Sequence, residues 1–166
     1  MVEAKSSFKF TNLKCQVADA DFCRFETCKL SVVGRGIVSL NIRVQLFKTP
    51  VTNTSVHFLL YRKDNGRRKL LFNVHQDVCA YFLKPNRFSL AHAFFNFFAA
   101  NSNINHSCPY DDDIIVKDLI LDEDKVRLVP LPEGEFILAI QVFAYNKLRA
   151  SVETFFYRKD FLYFKG

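Results

Sequence analysis

Hydrophobic and polar residues alternate with a period of two along most of this chain. The cleanest run sets Val38, Leu40, Ile42, Val44 and Leu46 on one face against Ser39, Asn41, Arg43 and Gln45 on the other, the pattern of a half-buried strand. Residues 8–17 and 24–33 supply two earlier strands, read as a first hairpin across the polar turn at 18–21. Gly34-Arg35-Gly36 then turns the chain into the 38–46 strand, which ends at Thr49-Pro50. Val56, Phe58 and Leu60 alternate into Asp64-Asn65-Gly66, a hairpin signal, and Leu70, Phe72 and Val74 return from it. Further strands are expected over 114–121, 125–129, 135–145 and 149–157, with Asn146-Lys147 as the turn between the last two.

The middle of the chain breaks this period. From Phe88 onward, Leu90, Ala93, Phe94, Phe97 and Phe98 follow helical spacing, with Ser89 placed as an N-cap and Asn101 where the helix should stop. A shorter helical turn is expected over 77–83, stopped by Pro85. About eight strands with one Phe-rich helical insertion predict a mainly β protein, an antiparallel immunoglobulin-like sandwich. At 166 residues the chain forms a single domain, 1–166.

Composition adds an aromatic interior: the chain has 19 Phe and no Trp. A Phe ring brings no polar group with it, so these rings either pack on one another or line an apolar space. The formal net charge of +6 raises the question of a nucleic-acid partner, and the placement of the charges answers it. The densest basic run, Arg62, Lys63, Arg67, Arg68 and Lys69, straddles the Asp64-Asn65-Gly66 turn and reads as a solvated hairpin tip. No nucleic acid is expected, while transient contact with an anionic membrane surface stays open. No apolar run is long enough to span a bilayer. The first residues, Met1-Val2-Glu3-Ala4-Lys5, lack the basic-then-apolar order of a leader, which fits secretion only if a leader has been removed.

Secretion is suggested by other residues. Asn53-Thr54-Ser55 and Asn105-His106-Ser107 are glycosylation acceptors, and Cys108 follows the second at once. Of the five cysteines, Cys15, Cys23, Cys28, Cys79 and Cys108, none has the paired spacing of a zinc site. In an oxidising compartment two bridges and a spare thiol follow. We favour Cys15 with Cys28 across the first hairpin and Cys79 with Cys108 around the Phe-rich helix, although spacing leaves other connectivities open. His57, His75, His92 and His106 are scattered, and no Ser, Cys or carboxylate stands in a nucleophile setting. His75-x-Asp77-x-Cys79 would share a strand face, but a bridged Cys79 has no thiolate to activate. Asp111-Asp112-Asp113 lacks the spaced ligands and turn Gly of a calcium loop. The chain is therefore read as non-enzymatic, without metal or cofactor.

Taken in order, Phe10-Thr11-Asn12-Leu13-Lys14-Cys15, Cys28-Lys29-Leu30, Asn73 through Asp77-Val78-Cys79, Asn103-Ile104-Asn105-His106-Ser107-Cys108-Pro109-Tyr110 and Leu131-Pro132-Glu133-Gly134-Glu135-Phe136 resemble a large insect family of secreted single domains of unknown function. That family is grouped with ML-like lipid-recognition sandwiches of the ganglioside-activator and sterol-carrier kind and with insect chemosensory proteins. Three positions depart from it. Cys23 falls where no family cysteine is expected and becomes the spare thiol, with an intermolecular bridge as the alternative. Arg67 and Lys69 replace the Tyr and Pro common after the hairpin Gly, and His75 removes what would have been a sequon at Asn73.

The resemblance implies two sheets splayed around a cleft in which a small hydrophobic ligand or lipid replaces part of the core. Area alone suffices for such binding, since hiding about 300 Å² of apolar surface gains roughly 7 kcal/mol before ordering costs. The candidate contact residues are Phe94, Phe97 and Phe98 from the helix, Phe58 and Leu60 from one strand, and Phe136 and Ile140 from another. Each of them has plain core packing as its alternative. The competing function is a secreted protein-interaction module with a filled core, binding a receptor or another extracellular partner through its loops.

Overall fold

The computed structural model describes residues 1–164. Among these, eight strands form two antiparallel sheets: β1 (Val2–Val17), β2 (Cys23–Gly34), β3 (Ile37–Leu46), β4 (Thr54–Asp64), β5 (Arg67–Asp77), β6 (Ile114–Leu119), β7 (Gly134–Ala144) and β8 (Lys147–Phe164). The larger sheet has the order β1-β8-β7-β4-β5 and the smaller β2-β3-β6. The β4–β5 and β7–β8 hairpins lie side by side through β4 and β7, and β2, β3 and β6 face them. This is the Greek-key pairing of immunoglobulin-like sandwiches, with β1 added at one edge. The mainly β antiparallel sandwich expected from the alternation is the fold.

Local chemistry sets the turns. Asn65 and Gly66 both take positive φ, 49° and 77°, as a two-residue hairpin matching the strand twist requires. Tyr145 and Asn146 do the same between β7 and β8, at 52° and 62°, one residue earlier than the expected Asn146-Lys147. Three short helical pieces complete the chain: α1 (Val78–Leu83), α2 (Leu90–Phe95) and α3 (Glu123–Val126). Asp77 caps α1 by accepting from the Ala80 N–H, and Ser89 caps α2 by accepting from the His92 N–H, as its position predicted. The Phe-rich helix is shorter than expected. It ends at Phe95, and a 3₁₀ turn at Ala99–Asn101 completes the segment, so Phe94, Phe95, Phe97 and Phe98 all reach the interior side.

Three other expectations are corrected. Residues 125–129 are not a strand, because Asp122 accepts from the Lys125 N–H and starts α3 there. Ser39, assigned to the solvent face, is buried. Residues 8–17 and 24–33 do not pair as a hairpin: β1 joins β8 and β2 joins β3, so the chain crosses from one sheet to the other at 18–22. Hydrophobic alternation says which face of a strand is buried but not which strand it pairs with. The crossing is held by Asp19, which accepts from Arg149 on β8 at 2.7 Å, and by Phe22, whose ring lies 4.3 Å beneath the Arg149 guanidinium.

Cys15 is bonded to Cys28, and Cys79 to Cys108. The first bridge links β1 to β2 and so staples sheet to sheet rather than strand to strand within a hairpin. The second links α1, which leaves the opposite edge of the large sheet, to the segment leading into β6. Each open side of the sandwich is thus closed by one disulfide. Cys23 is free and buried against the Arg149 carbonyl, which rules out the intermolecular bridge considered for it.

Candidate functional site

The inner face of the large sheet is built from the even-numbered residues of β4, β7 and β8, which the strand period brings to one side. Opposite them stand Leu40, Ile42, Val44 and Leu46 of β3. Between these faces lies a cavity of about 190 Å³. Phe95, Phe97 and Phe98 roof it on the side of the helical insertion, and Val51 and Tyr110, paired by two backbone hydrogen bonds of 2.9 Å, close it beside the second disulfide.

Burial along β7 locates the empty space. Phe136 and Leu138 are buried completely, whereas Ile140 and Val142, on the same inner face of this central strand, keep accessible surface. A central strand flanked on both sides can expose inner-face residues only to a void. Val44, Ile114 and Val116 across the sandwich are likewise half-buried, so the void lies toward the Val51–Tyr110 end.

Three cavity-lining side chains are polar, and each is satisfied inside the protein. The Thr54 hydroxyl donates to the Phe143 carbonyl at 2.7 Å, Thr154 to the Leu138 carbonyl at 3.2 Å, and Tyr110 to the His106 carbonyl at 2.6 Å. Burial pushes the Tyr110 phenol up to about 12, so it stays neutral at any physiological pH. The cavity presents no charge. It suits a neutral apolar guest and has no side-chain hydrogen-bond donor left to offer one.

The seven candidate contact residues divide into two groups. Phe97, Phe98 and Ile140 line the cavity. Phe58, Leu60, Phe94 and Phe136 do not, and lie fully buried around it. Phe58 stacks on Phe94 at 5.3 Å and meets Phe95 edge-on at 5.1 Å, while Phe136 stacks on Phe156 at 5.6 Å, which in turn meets Phe97. The helical insertion drops rings between the sheets at the hairpin end and fills the space there. Sequence reasoning left out the β3 row from Leu40 to Leu46, although its alternation was the clearest in the chain, and it left out Phe95, which falls off the helical spacing. The row carried a readable signal, whereas Phe95 lies off the helical spacing and gave none.

The remaining sequence features lie at the surface. Asn53 and Asn105 are exposed, and Ser107 of the second sequon donates to the Cys79 carbonyl. Asp113 pairs with Arg43 at 3.0 Å. Among the described residues no three His, Cys, Asp or Glu side chains gather as metal ligands. No helix among them is long and apolar enough to cross a membrane.

Fold and site together define a disulfide-stapled antiparallel sandwich around an apolar space. The chain belongs to the family described as "Protein of unknown function (DUF1091)", whose model matches residues 56–138, half of the chain. The matched span runs from β4 to the middle of β7 and contains the basic hairpin, the whole helical insertion and the second disulfide. No curated protein matches the chain significantly.

Proposed function

We propose that this protein is a secreted, non-enzymatic carrier of a small hydrophobic ligand, held between its two sheets. The observation that carries the reading is the cavity of about 190 Å³ whose every polar lining group is already hydrogen-bonded within the protein. Apolar cavities of about 150 Å³ stay dry and take up benzene, so a space of this size favours a compact hydrocarbon or one end of a longer chain. About 200 Å² of ligand surface hidden there contributes roughly 5 kcal/mol before ordering costs. Two disulfides and two exposed sequons fit an extracellular setting. The kinship with ML-like lipid-recognition sandwiches and the placement within an insect chemosensory group belong to the same proposal and rest on the sequence blocks that carry the resemblance.

Native mass spectrometry of protein secreted from insect cells behind a supplied signal peptide tests the reading, with the denatured mass as reference. A native excess of a few hundred daltons that disappears on denaturation is expected. Equal masses, together with no stabilisation by added hydrocarbon, overturn it in favour of an interaction module acting through its surface.

A further inference from the structure

The loop between α1 and α2 is the most hydrophobic exposed protrusion of the insertion. Phe88 is fully exposed at 101% and Leu83 is 78% exposed, two large apolar side chains that stand largely uncovered. Lys84 and Arg87 lie between them and are exposed as well. The loop is internally organised: Asn86 accepts from the Phe88 N–H at 3.0 Å, and Ser89 donates to the Asn86 carbonyl through both its N–H, at 3.1 Å, and its hydroxyl, at 2.8 Å. Phe88 is therefore held outward with its backbone N–H already satisfied, which removes a cost of entering an apolar medium.

The fixed charges of this segment are all of one sign. The chain has 17 Asp and Glu residues, yet none falls within residues 78–110, whose ionisable side chains other than Cys and Tyr are Lys84, Arg87, His92 and His106. The basic β4–β5 hairpin has more cations, of which Arg68 pairs with Glu153 and Arg62 donates to the Glu133 carbonyl, but its exposed large apolar side chain is the half-covered Leu70. The exposed apolar tip of the β2–β3 hairpin, Val32 and Val33, lies at the end of the molecule where Asp122, Glu123 and Asp124 share a groove with Gly36 and Ile37. The α1–α2 loop sets two of the most exposed apolar side chains beside two cations in a segment free of acidic residues.

We propose that the 83–90 loop is a docking site for an anionic lipid surface, with Phe88 and Leu83 inserted among the lipid chains and Lys84 and Arg87 at the headgroups. An aromatic and an aliphatic anchor beside cations match the two attractions that hold a protein at such an interface, apolar burial and attraction to acidic lipid. The loop joins the helices that roof the cavity, so docking brings that roof to the lipid. The inference stands independently of what the cavity holds.

The chain contains no Trp, so Phe88→Trp introduces a single fluorescent reporter at the tip. With vesicles of phosphatidylcholine and phosphatidylserine its emission is expected to shift to the blue and to be quenched by brominated acyl chains, while pure phosphatidylcholine gives a much smaller change. In sedimentation of the whole chain with the mixed vesicles, Phe88→Ser lowers the partition coefficient by about tenfold or more. Lys84→Ser and Arg87→Ser each lower it by about fivefold, an effect that salt removes. These side chains are exposed, and unchanged thermal midpoints verify that the variants fold. Unchanged emission from Phe88→Trp, wild-type partitioning by Phe88→Ser, or an equal blue shift from a Trp placed at Val32 overturns the proposal.

Discussion

Filling the cavity should cost this protein little or nothing, and Val142→Phe is the substitution that tells. Val142 sits on the inner face of β7, beside Ile140, where half-burial marks the wall of the void. The exchange adds about four carbon atoms, and at about 0.8 kcal/mol per buried CH₂ their transfer from water contributes up to roughly 3 kcal/mol. In a filled core, added bulk costs about 1–3 kcal/mol in distorted rotamers and shifted backbone. A ring is smaller than the space of about 190 Å³, so most of that cost is absent and the net change should lie between about 0 and 2 kcal/mol of stabilisation. Leu60→Phe is the control, because Leu60 is fully buried and does not line the void. It should lose about 1–3 kcal/mol. Urea unfolding of the three proteins, with slopes compared to verify two-state behaviour, gives the stability difference. Benzene supplies the second readout. At ten times its dissociation constant it should stabilise the wild type by about 1.4 kcal/mol and leave Val142→Phe unaffected. If Val142→Phe is as destabilised as Leu60→Phe, or gains equally from benzene, the space is not a binding cavity and the reasoning fails.

Two further expectations concern what holds the sandwich closed. Replacing Cys79 and Cys108 together by Ser opens a loop of sequence separation 29 and should cost about 3–4 kcal/mol. Hydrogen exchange should then show residues 78–110 losing protection before the sheets do, and loss spread evenly over the sheets would contradict a local clamp. For Asp19, burial acts to raise the carboxyl pKa, but the hydrogen bond from Arg149, helped by the Asp21 N–H and the charges of Lys147 and Arg149, holds it below the usual value of 3.8. Because the folded value lies below the unfolded one, the stabilisation is complete above about pH 4 and disappears as the pH falls through the folded value. Urea midpoints of the wild type and Asp19→Asn should therefore differ by a constant amount between pH 5 and 8 and converge at lower pH. A gap that persists undiminished at pH 2 would show that charge is not what Asp19 contributes.

Much of this molecule could be read directly from local pattern. Period two placed the strands and named their buried faces, Asp64-Asn65-Gly66 announced the β4–β5 hairpin, and Ser89 marked the start of α2, because each of these is decided by residues within a few positions of one another. The misreadings share one cause. The strand expected over 125–129 gave way to a single turn of helix capped by Asp122, and the first supposed hairpin dissolved because a short polar link reveals nothing about which sheet the next strand joins. The pairing of Cys15 with Cys28 was anticipated while its role as a sheet-to-sheet staple was not.

The site divides in the same way. Sequence by itself determined an apolar interior rich in Phe, and with it the residue types any cavity here must show. Only the tertiary structure decided which rings pack and which face empty space. Phe58, Leu60, Phe94 and Phe136 fill the hairpin end, where the helical insertion descends between the sheets, while Phe97, Phe98 and Ile140 border the void. A cavity is the difference between the volume two sheets enclose and the volume their side chains occupy. That difference depends on the separation and angle of the sheets, set jointly by the two staples, the insertion and the crossing at Asp19, and no local pattern of residues encodes it.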